Sequence, residues 1–231
     1  LAIPFKRVNY HDSMEKYGSD KPDLRFDLYL HNLDFLKHGN FNVFKHAELI
    51  KGLCIEKELS RSQLDNYTAF AKELGSPGLV WFKYNKILES PVTKFLSSPE
   101  QKELIEILKP KNFSTIMIIA GNKKLVNEVL NKIRSRLADD FHLRKQEFNF
   151  SWITDFPLFT ISDDNNLESE HHPFTNLQES DMHLLESKKH EELLKIKSKS
   201  YDLVLNGTEL GSGSIRIHDS NLQKKIFDIL K

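Results

Sequence analysis

Tyr201-Asp202-Leu203-Val204-Leu205-Asn206-Gly207-Thr208-Glu209-Leu210-Gly211-Ser212-Gly213-Ser214-Ile215-Arg216-Ile217-His218 is the densest stretch of the chain. Asn-Gly between two extended runs is the strongest short-range hairpin signal. A two-residue turn at Asn206-Gly207 sets a register: Leu205 opposite Thr208, Val204 opposite Glu209, Leu203 opposite Leu210 and Asp202 opposite Gly211. Opposed residues share a face, and so do alternate residues along a strand. Asp202, Val204, Glu209 and Gly211 are therefore expected on one face. Two carboxylates one diagonal apart, with a glycine opposite one of them, suit Mg²⁺, which takes oxygen ligands and completes its shell with waters and phosphates. Gly211 and Gly213 let a ligand approach the backbone closely. Arg216 has the wrong parity to share the face of Glu209 unless a bulge intervenes, and Gly211-Ser212-Gly213 is the expected place for one. Its planar fork would suit a carboxylate. The same residues also fit a solvated hairpin with incidental charges.

Around the hairpin, Asn149–Thr154 reads as a strand, then Asp155-Phe156-Pro157, then a strand over Leu158–Ile161. A polar loop over Ser162–Glu170 leads to His171-His172-Pro173. Paired histidines can bind metal or donate to anions. Adjacent side chains in a strand diverge, however, and no cysteine or third histidine stands near, so zinc is a poor match. Residues 180–198 form a Lys- and Glu-rich helix or linker, and Asn221–Leu230 an amphipathic helix with Leu222, Ile226, Ile229 and Leu230 inward.

Residues 31–147 read as a self-contained α+β unit. Strands are expected at Phe41–Phe44, Leu49–Ile55, Leu79–Tyr84 and Thr115–Ala120. Helices are expected over Arg61–Leu74, after Ser98, and over Asn122–Ala138. Ser60 with Gln63, and Ser98 with Gln101, fit capping boxes, with Pro99 at the first helical position. This order predicts a sheet with helices on one face. Gly121-Asn122-Lys123-Lys124 lacks the spaced glycines of a phosphate loop and reads as an ordinary strand–helix turn. Arg134, Arg136, Arg144 and Lys145 read as a solvated face. Before residue 31, Tyr10–Lys16 reads as a helix capped by Asn9 and ended by Gly18. Leu24, Phe26, Leu28 and Leu30 show strand alternation.

Thirty-three basic and 33 acidic residues give a formal net charge of zero, so no global basic field announces nucleic acid and any RNA contact must be local. Cys54 is the single cysteine, so no intramolecular disulfide forms; Leu53-Cys54-Ile55 places it as a buried structural thiol. No apolar stretch approaches the ~20 residues that span a bilayer, and no signal peptide follows Lys6-Arg7. The expectation is a cytoplasmic protein without a membrane partner. The chain opens on Leu1 rather than Met, and a fragment is therefore the expectation.

Four segments together carry a resemblance: Tyr17-Gly-Ser-Asp-Lys-Pro-Asp-Leu-Arg25, Trp152-Ile-Thr-Asp-Phe-Pro157, His171-His-Pro-Phe-Thr175, and Tyr201 through Glu209 to His218. In this order they resemble the bacterial aspartyl-tRNA synthetases. The resemblance is strong over residues 1–30 and 148–231. The middle, 31–147, is similar in position and element order to the GAD domain inserted in that family. It implies parts of a class II catalytic domain, with antiparallel sheet segments, flanking an inserted α+β domain. It implies activation of L-aspartate with ATP and Mg²⁺ to aspartyl-adenylate, then transfer to the 3′ end of tRNA(Asp) by a homodimer. By carry-over, Glu209 would contact ATP and Mg²⁺ with Asp202 as second carboxylate. Gly211 and Gly213 would lie against ATP. Arg216 would hold the side-chain carboxylate of aspartate, His171 would contact the same substrate, and His172 would line its pocket. Ser212 stands where the family usually has a third glycine, and fits only if it avoids φ > 0 and points away from the ligand. Class II motifs 2 and 3 find no counterpart, so the fragment is expected to be inactive alone. The alternative is a folded GAD-type interaction module without catalysis.

Overall fold

The computed structural model describes residues 3–162, 164 and 166–231. In chain order the elements are β1 (Lys6–Asn9), α1 (Tyr10–Tyr17), β2 (His31–Asn32), α2 (Asn42–Lys45), β3 (Leu49–Ile55), α3 (Arg61–Glu73), β4 (Val80–Asn85), β5 (Ile87–Glu89), α4 (Ser98–Leu108), β6 (Ser114–Gly121), α5 (Lys123–Asp140), β7 (Phe150–Thr154), β8 (Phe159–Ile161), β9 (Leu167–Ser169), α6 (His190–Leu193), β10 (Ser200–Leu205), β11 (Thr208–Ser214) and α7 (Ser220–Ile229). The chain divides into two compact units. One holds residues 1–13, 20–23 and 148–231, the other 14–19 and 24–147.

The first unit is built on a four-stranded sheet in the order β1-β7-β10-β11. β1 runs parallel to β7, and the other pairs are antiparallel. Asn206 and Gly207 have φ of 52° and 86°, the left-handed pair that closes a type I′ hairpin. Asn206 also binds the start of β7, its Oδ1 accepting from Asn149 N–H at 2.9 Å. Strand β9 pairs with β8 inside the stretch expected to be a polar loop, so that expectation is corrected at residues 167–169; residues 163 and 165 of the same stretch lie outside the described residues. The stretch expected as a polar helix or linker over 180–198 is a 3₁₀ helix, Glu179–Glu186, followed by the single turn α6. Leu185, Leu193 and Ile196 are buried there with Leu158, Phe159 and Ile226 of α7.

The second unit is a five-stranded antiparallel sheet in the order β2-β3-β6-β4-β5. The α+β class holds, but the helices cover both faces, not one. Leu53, Met117 and Ile119 face α3 and α5, through Leu64, Tyr67, Val129 and Ile133. Ile50, Ile116 and Ile118 face the other way, onto Leu104 and Leu108 of α4 and Phe44 of α2. Strand side chains alternate in direction, so a run buried at every position, as β6 is from Ser114 to Ile119, needs cover on both sides.

Several local expectations shift for identifiable reasons. Phe41–Phe44 is not a strand; α2 brings Phe41 and Phe44 edge to face, as residues three apart on a helical turn meet. The capping box of α3 is Ser60 with Gln63. That of α4 is Ser97 with Glu100, one residue earlier than Ser98 with Gln101. A carboxylate in the first turn complements the positive end of the helix, and Gln101 instead donates to Leu96 O. Asn122 caps α5, accepting from Lys124 N–H at 2.9 Å.

Leu24–Leu30 forms no strand, although Phe26, Leu28 and Leu30 are buried. Arg134 takes the backbone acceptors a ladder would have used, donating to Leu28 O and to Phe26 O. The Arg134 side chain is 1% exposed, with its guanidinium over the Phe26 and Tyr17 rings. The expectation of a solvated Arg134 is thus corrected. Arg136 lies across the Phe70 ring, and Arg144 is bound to Asp139 and Ser135, so neither is simply solvated. Lys51, also fully buried, donates to Met14 O and Asn127 Oδ1, both at 3.1 Å, and pairs with Glu15. A cation on the last carbonyls of α1 answers the helix dipole, although burial still pulls its pKa down. Cys54 is half-buried, and burial pushes its thiol up to about 11, consistent with a structural role. Among the described residues, no helix is long and apolar enough to cross a membrane.

Candidate active site

The bulge that Arg216 required is present, one residue before the expected place. Val204 pairs with Glu209, but Leu203 pairs with Gly211 and Asp202 with Ser212, leaving Leu210 as the extra residue. This changes the parity of everything beyond it. Asp202, Val204, Glu209, Ser212 and Ser214 now share a face, and Gly211 turns to the other. The register expected for Leu203 and Asp202 is therefore corrected, and Ser212 stands where Gly211 was expected. Ser212 avoids positive φ as required, but its side chain faces the cleft and hydrogen-bonds Glu209, contrary to the expectation that it points away. Gly213 makes room for Tyr201: a Cβ there would lie 2.6 Å from the Tyr201 hydroxyl. A Cβ at Gly211 would meet nothing within 4 Å, so that position is open.

Past the hairpin the strand continues by pairing with the histidine segment. Ile217 N–H donates to Phe174 O and Asn176 N–H to Ile215 O, with Thr175 opposite Arg216. A turn at His172, closed by Thr175 N–H on its carbonyl, lets both histidines reach one cleft, which a regular strand would forbid. His171 packs edge-on against Phe156 and His172 stacks on Phe174. Asp155 helps to aim Phe156. Its φ is 58°, and its carboxylate accepts from Thr154 Oγ1 and Gln178 Nε2, both at 3.0 Å. The resulting cleft, about 140 Å³, is lined by His171, His172, Asp202, Ser212, Ser214 and Arg216, with Ser200 and Gly213. The Arg216 guanidinium is exposed and lies 4.6 Å from the Phe174 ring centre. A larger hollow of about 580 Å³ opens among Arg7, Trp152, Tyr201 and Lys199, but the clustered carboxylates are not in it.

The electrostatics are set by three carboxylates and one ammonium. Asp202 is 3% exposed, and its carboxyl is pushed up to about 6, first by burial, then by the charges of Glu209 and Asp20. Lys21 binds Glu209 Oε2 at 3.1 Å and lies 3.7 Å from Asp20. Hydrogen bonds from Lys21 and Ser212 hold the Glu209 carboxyl below its usual value, and the same pairing raises Lys21. Crowded carboxylates favour a cation, and Asp202 with Glu209 offer the oxygen donors that Mg²⁺ prefers. Among the described residues, no group of three or more His, Cys, Asp or Glu could hold a metal ion. The remaining ligands of such an ion must be water or substrate oxygens.

Lys21, Asp20 and Ser212 were not singled out by spacing. Lys21 and Glu209 stand near opposite ends of the chain, and only the folded sheet joins them.

The raised Asp202 pKa has a signed consequence. Folding lifts it from the ordinary carboxylate value of 3.8 to about 6, so between those values the folded state holds the extra proton and stability falls as pH rises. Asp202→Asn is expected to flatten that slope and to stabilise the protein at pH 7 by on the order of 1–3 kcal/mol. Urea unfolding at pH 4.5 and pH 7 checks this; an unchanged slope would remove burial as the dominant influence on Asp202.

The model of the family described as tRNA synthetases class II (D, K and N) matches residues 1–231. The chain is 42% identical over 240 residues to a protein of Thermoanaerobacter sp. (strain X514) named aspartate–tRNA(Asp/Asn) ligase, with all of this chain and 40% of that one aligned. Identically named proteins of Thermodesulfovibrio yellowstonii and Protochlamydia amoebophila are 39% identical over 245 residues and 42% identical over 241. All of this chain is covered in both, against 41% and 40% of theirs. The chain thus spans about 40% of the length of the relatives it matches.

Proposed function

This chain belongs to the class II tRNA synthetases of the D, K and N group, and from that premise we propose that it is part of an aspartate–tRNA ligase. The ligase condenses L-aspartate with ATP to aspartyl-adenylate and passes the aspartyl group to the 3′ end of tRNA(Asp). One observation carries the reading to particular atoms: the bulge at Leu210 brings Arg216 to the cleft that also holds Asp202.

In this reading Arg216 grips the side-chain carboxylate of aspartate with both arms of its fork, braced on Phe174. His171 contacts the bound aspartate and His172 lines the same pocket. Of the two glycines this reading sets against ATP, Gly213 lines the cleft through its backbone while Tyr201 fills the space a side chain there would take, and Gly211 is open but faces away from Asp202. Asp202 and Glu209 would hold Mg²⁺, which supplies neutralisation of phosphate charge. The chain's own residues bind and orient; the protein has little covalent chemistry to do, and catalysis rests on positioning and electrostatics. Asparagine is refused because a guanidinium facing a neutral amide loses its charged partner.

We assign residues 1–30 and 148–231 to the catalytic domain and 31–147 to an inserted GAD-type domain, with 14–19 and 24–30 packed into the compact unit of the latter. We read the working ligase as a cytoplasmic homodimer. In the full-length polypeptide that carries this chain, Glu209→Gln is expected to lower aspartate-dependent ATP–pyrophosphate exchange by roughly a hundredfold or more. Exchange at the unaltered rate would overturn the assignment of Glu209.

A further inference from the structure

The Lys21–Glu209 pair joins parts of the chain that no local rule connects, and the structure around it is built to present the lysine. Pro22 and Asp23, which follow it, are buried. Gly207 of the hairpin turn lies against Asp23; a Cβ there would come within 3.3 Å of the Asp23 Cβ. The backbone beside Lys21 is thereby held against the tip of the hairpin. Its side chain remains 40% exposed, long and able to swing. Its ammonium stands 3.1 Å from Glu209 and 3.7 Å from Asp20, in the field of buried Asp202.

Resting on the reading of Asp202 and Glu209 as the cation pair, we infer that Lys21 is a positioning residue that serves as a built-in counter-ion. Its ammonium occupies Glu209 while no divalent ion is bound, and it withdraws when one binds. Three carboxylates brought together would repel one another; one ammonium among them relieves that repulsion and keeps Glu209 aimed across the hairpin. A carboxylate oxygen held by an ammonium is less available to a divalent ion, and two cations cannot share so small a space without mutual repulsion. Lys21 therefore lowers the affinity of the site for a free metal ion. The full ligand set is assembled only when substrate phosphates add their own negative charge.

The test is direct Mn²⁺ binding to the full-length polypeptide without ATP or aspartate, read from the electron paramagnetic resonance signal of free Mn²⁺. Lys21→Met and Lys21→Gln are expected to bind Mn²⁺ roughly three- to tenfold more tightly than the unaltered protein, as removal of one nearby charge at a partly exposed site allows. Lys21→Arg, which keeps the charge, is expected to stay within about twofold. A merely structural role for Lys21 would not give tighter binding that the arginine variant reverses. Glu209→Gln separates the two readings. If it abolishes Mn²⁺ binding while Lys21→Met leaves the affinity unchanged or weaker, the counter-ion role is wrong and the metal pair stands. If Glu209→Gln binds Mn²⁺ as the unaltered protein does, or if no variant binds at all, the metal pair itself is wrong and the inference falls with it.

Discussion

Arg216→Leu in the full-length polypeptide is expected to lower kcat/KM for aspartate in pyrophosphate exchange by roughly a hundred- to a thousandfold, while KM for ATP changes only a few-fold. The asymmetry follows from position. Arg216 lines the cleft beyond the hairpin, opposite Thr175, with its guanidinium on the Phe174 ring. In the proposed reading that end of the cleft takes the amino acid's side chain, so the loss falls on aspartate. Leucine preserves apolar contact with Phe174 but leaves the substrate's side-chain carboxylate without a partner as it enters the cleft. Arg216→Lys is expected to recover little, because a point charge cannot reproduce two parallel hydrogen bonds or the stack on the ring. An aspartate KM unaltered by Arg216→Leu would sink the role given to this residue.

Arg134→Ala is expected to cost the 14–19 and 24–147 unit roughly 3–5 kcal/mol. Arg134 is 1% exposed, and Phe26 and Leu28 spend their carbonyls on it rather than on a strand ladder. Truncation leaves those buried acceptors unsatisfied and opens a cavity beneath the Phe26 and Tyr17 rings. Arg134→Met fills most of the volume but supplies no donor, so a smaller loss of about 1–3 kcal/mol is expected. Urea unfolding followed by the fluorescence of Trp81, with Trp152→Phe in the background, reads this unit separately. A loss under about 1 kcal/mol for Arg134→Ala would mean that water replaces the guanidinium without penalty.

Both predictions turn on residues whose type was visible in the sequence and whose surroundings were not. Arg216 was singled out with its parity problem, because period-2 alternation is a strict local rule. The rule could state that a bulge was needed, but the glycines at 211 and 213 drew the expected position past Leu210. Bulges are placed by what the partner strand and the layer beneath accommodate, here Tyr201 over Gly213 and Asp202 against Ser212. A charged residue on a helix is usually solvated, which is why the sequence alone points Arg134 outward. The apolar stripe of its helix, Val126, Val129, Leu130, Ile133 and Leu137, is buried, and Arg134 lies beside it. What kept it dry was a run of irregular backbone from 24 to 30, distant in sequence, whose carbonyls needed hydrogen-bond donors.

The sequence alone therefore determined whatever depends on neighbours within a turn or two. It specified the hairpin at Asn206-Gly207, the Ser60–Gln63 box, the helix over Asn122–Ala138, and motifs dense enough to indicate a class II synthetase. In each case the deciding energy is local, a φ only certain residues tolerate or a free N–H that one side chain reaches. The tertiary structure alone decided the bulge at Leu210, the cover on both faces of the five-stranded sheet, the buried Lys51 and Arg134, and the meeting of Lys21 with Glu209. These depend on which distant backbone acceptors and charges are left over once the local elements have formed, and a buried polar group must be satisfied by whatever the fold brings to it.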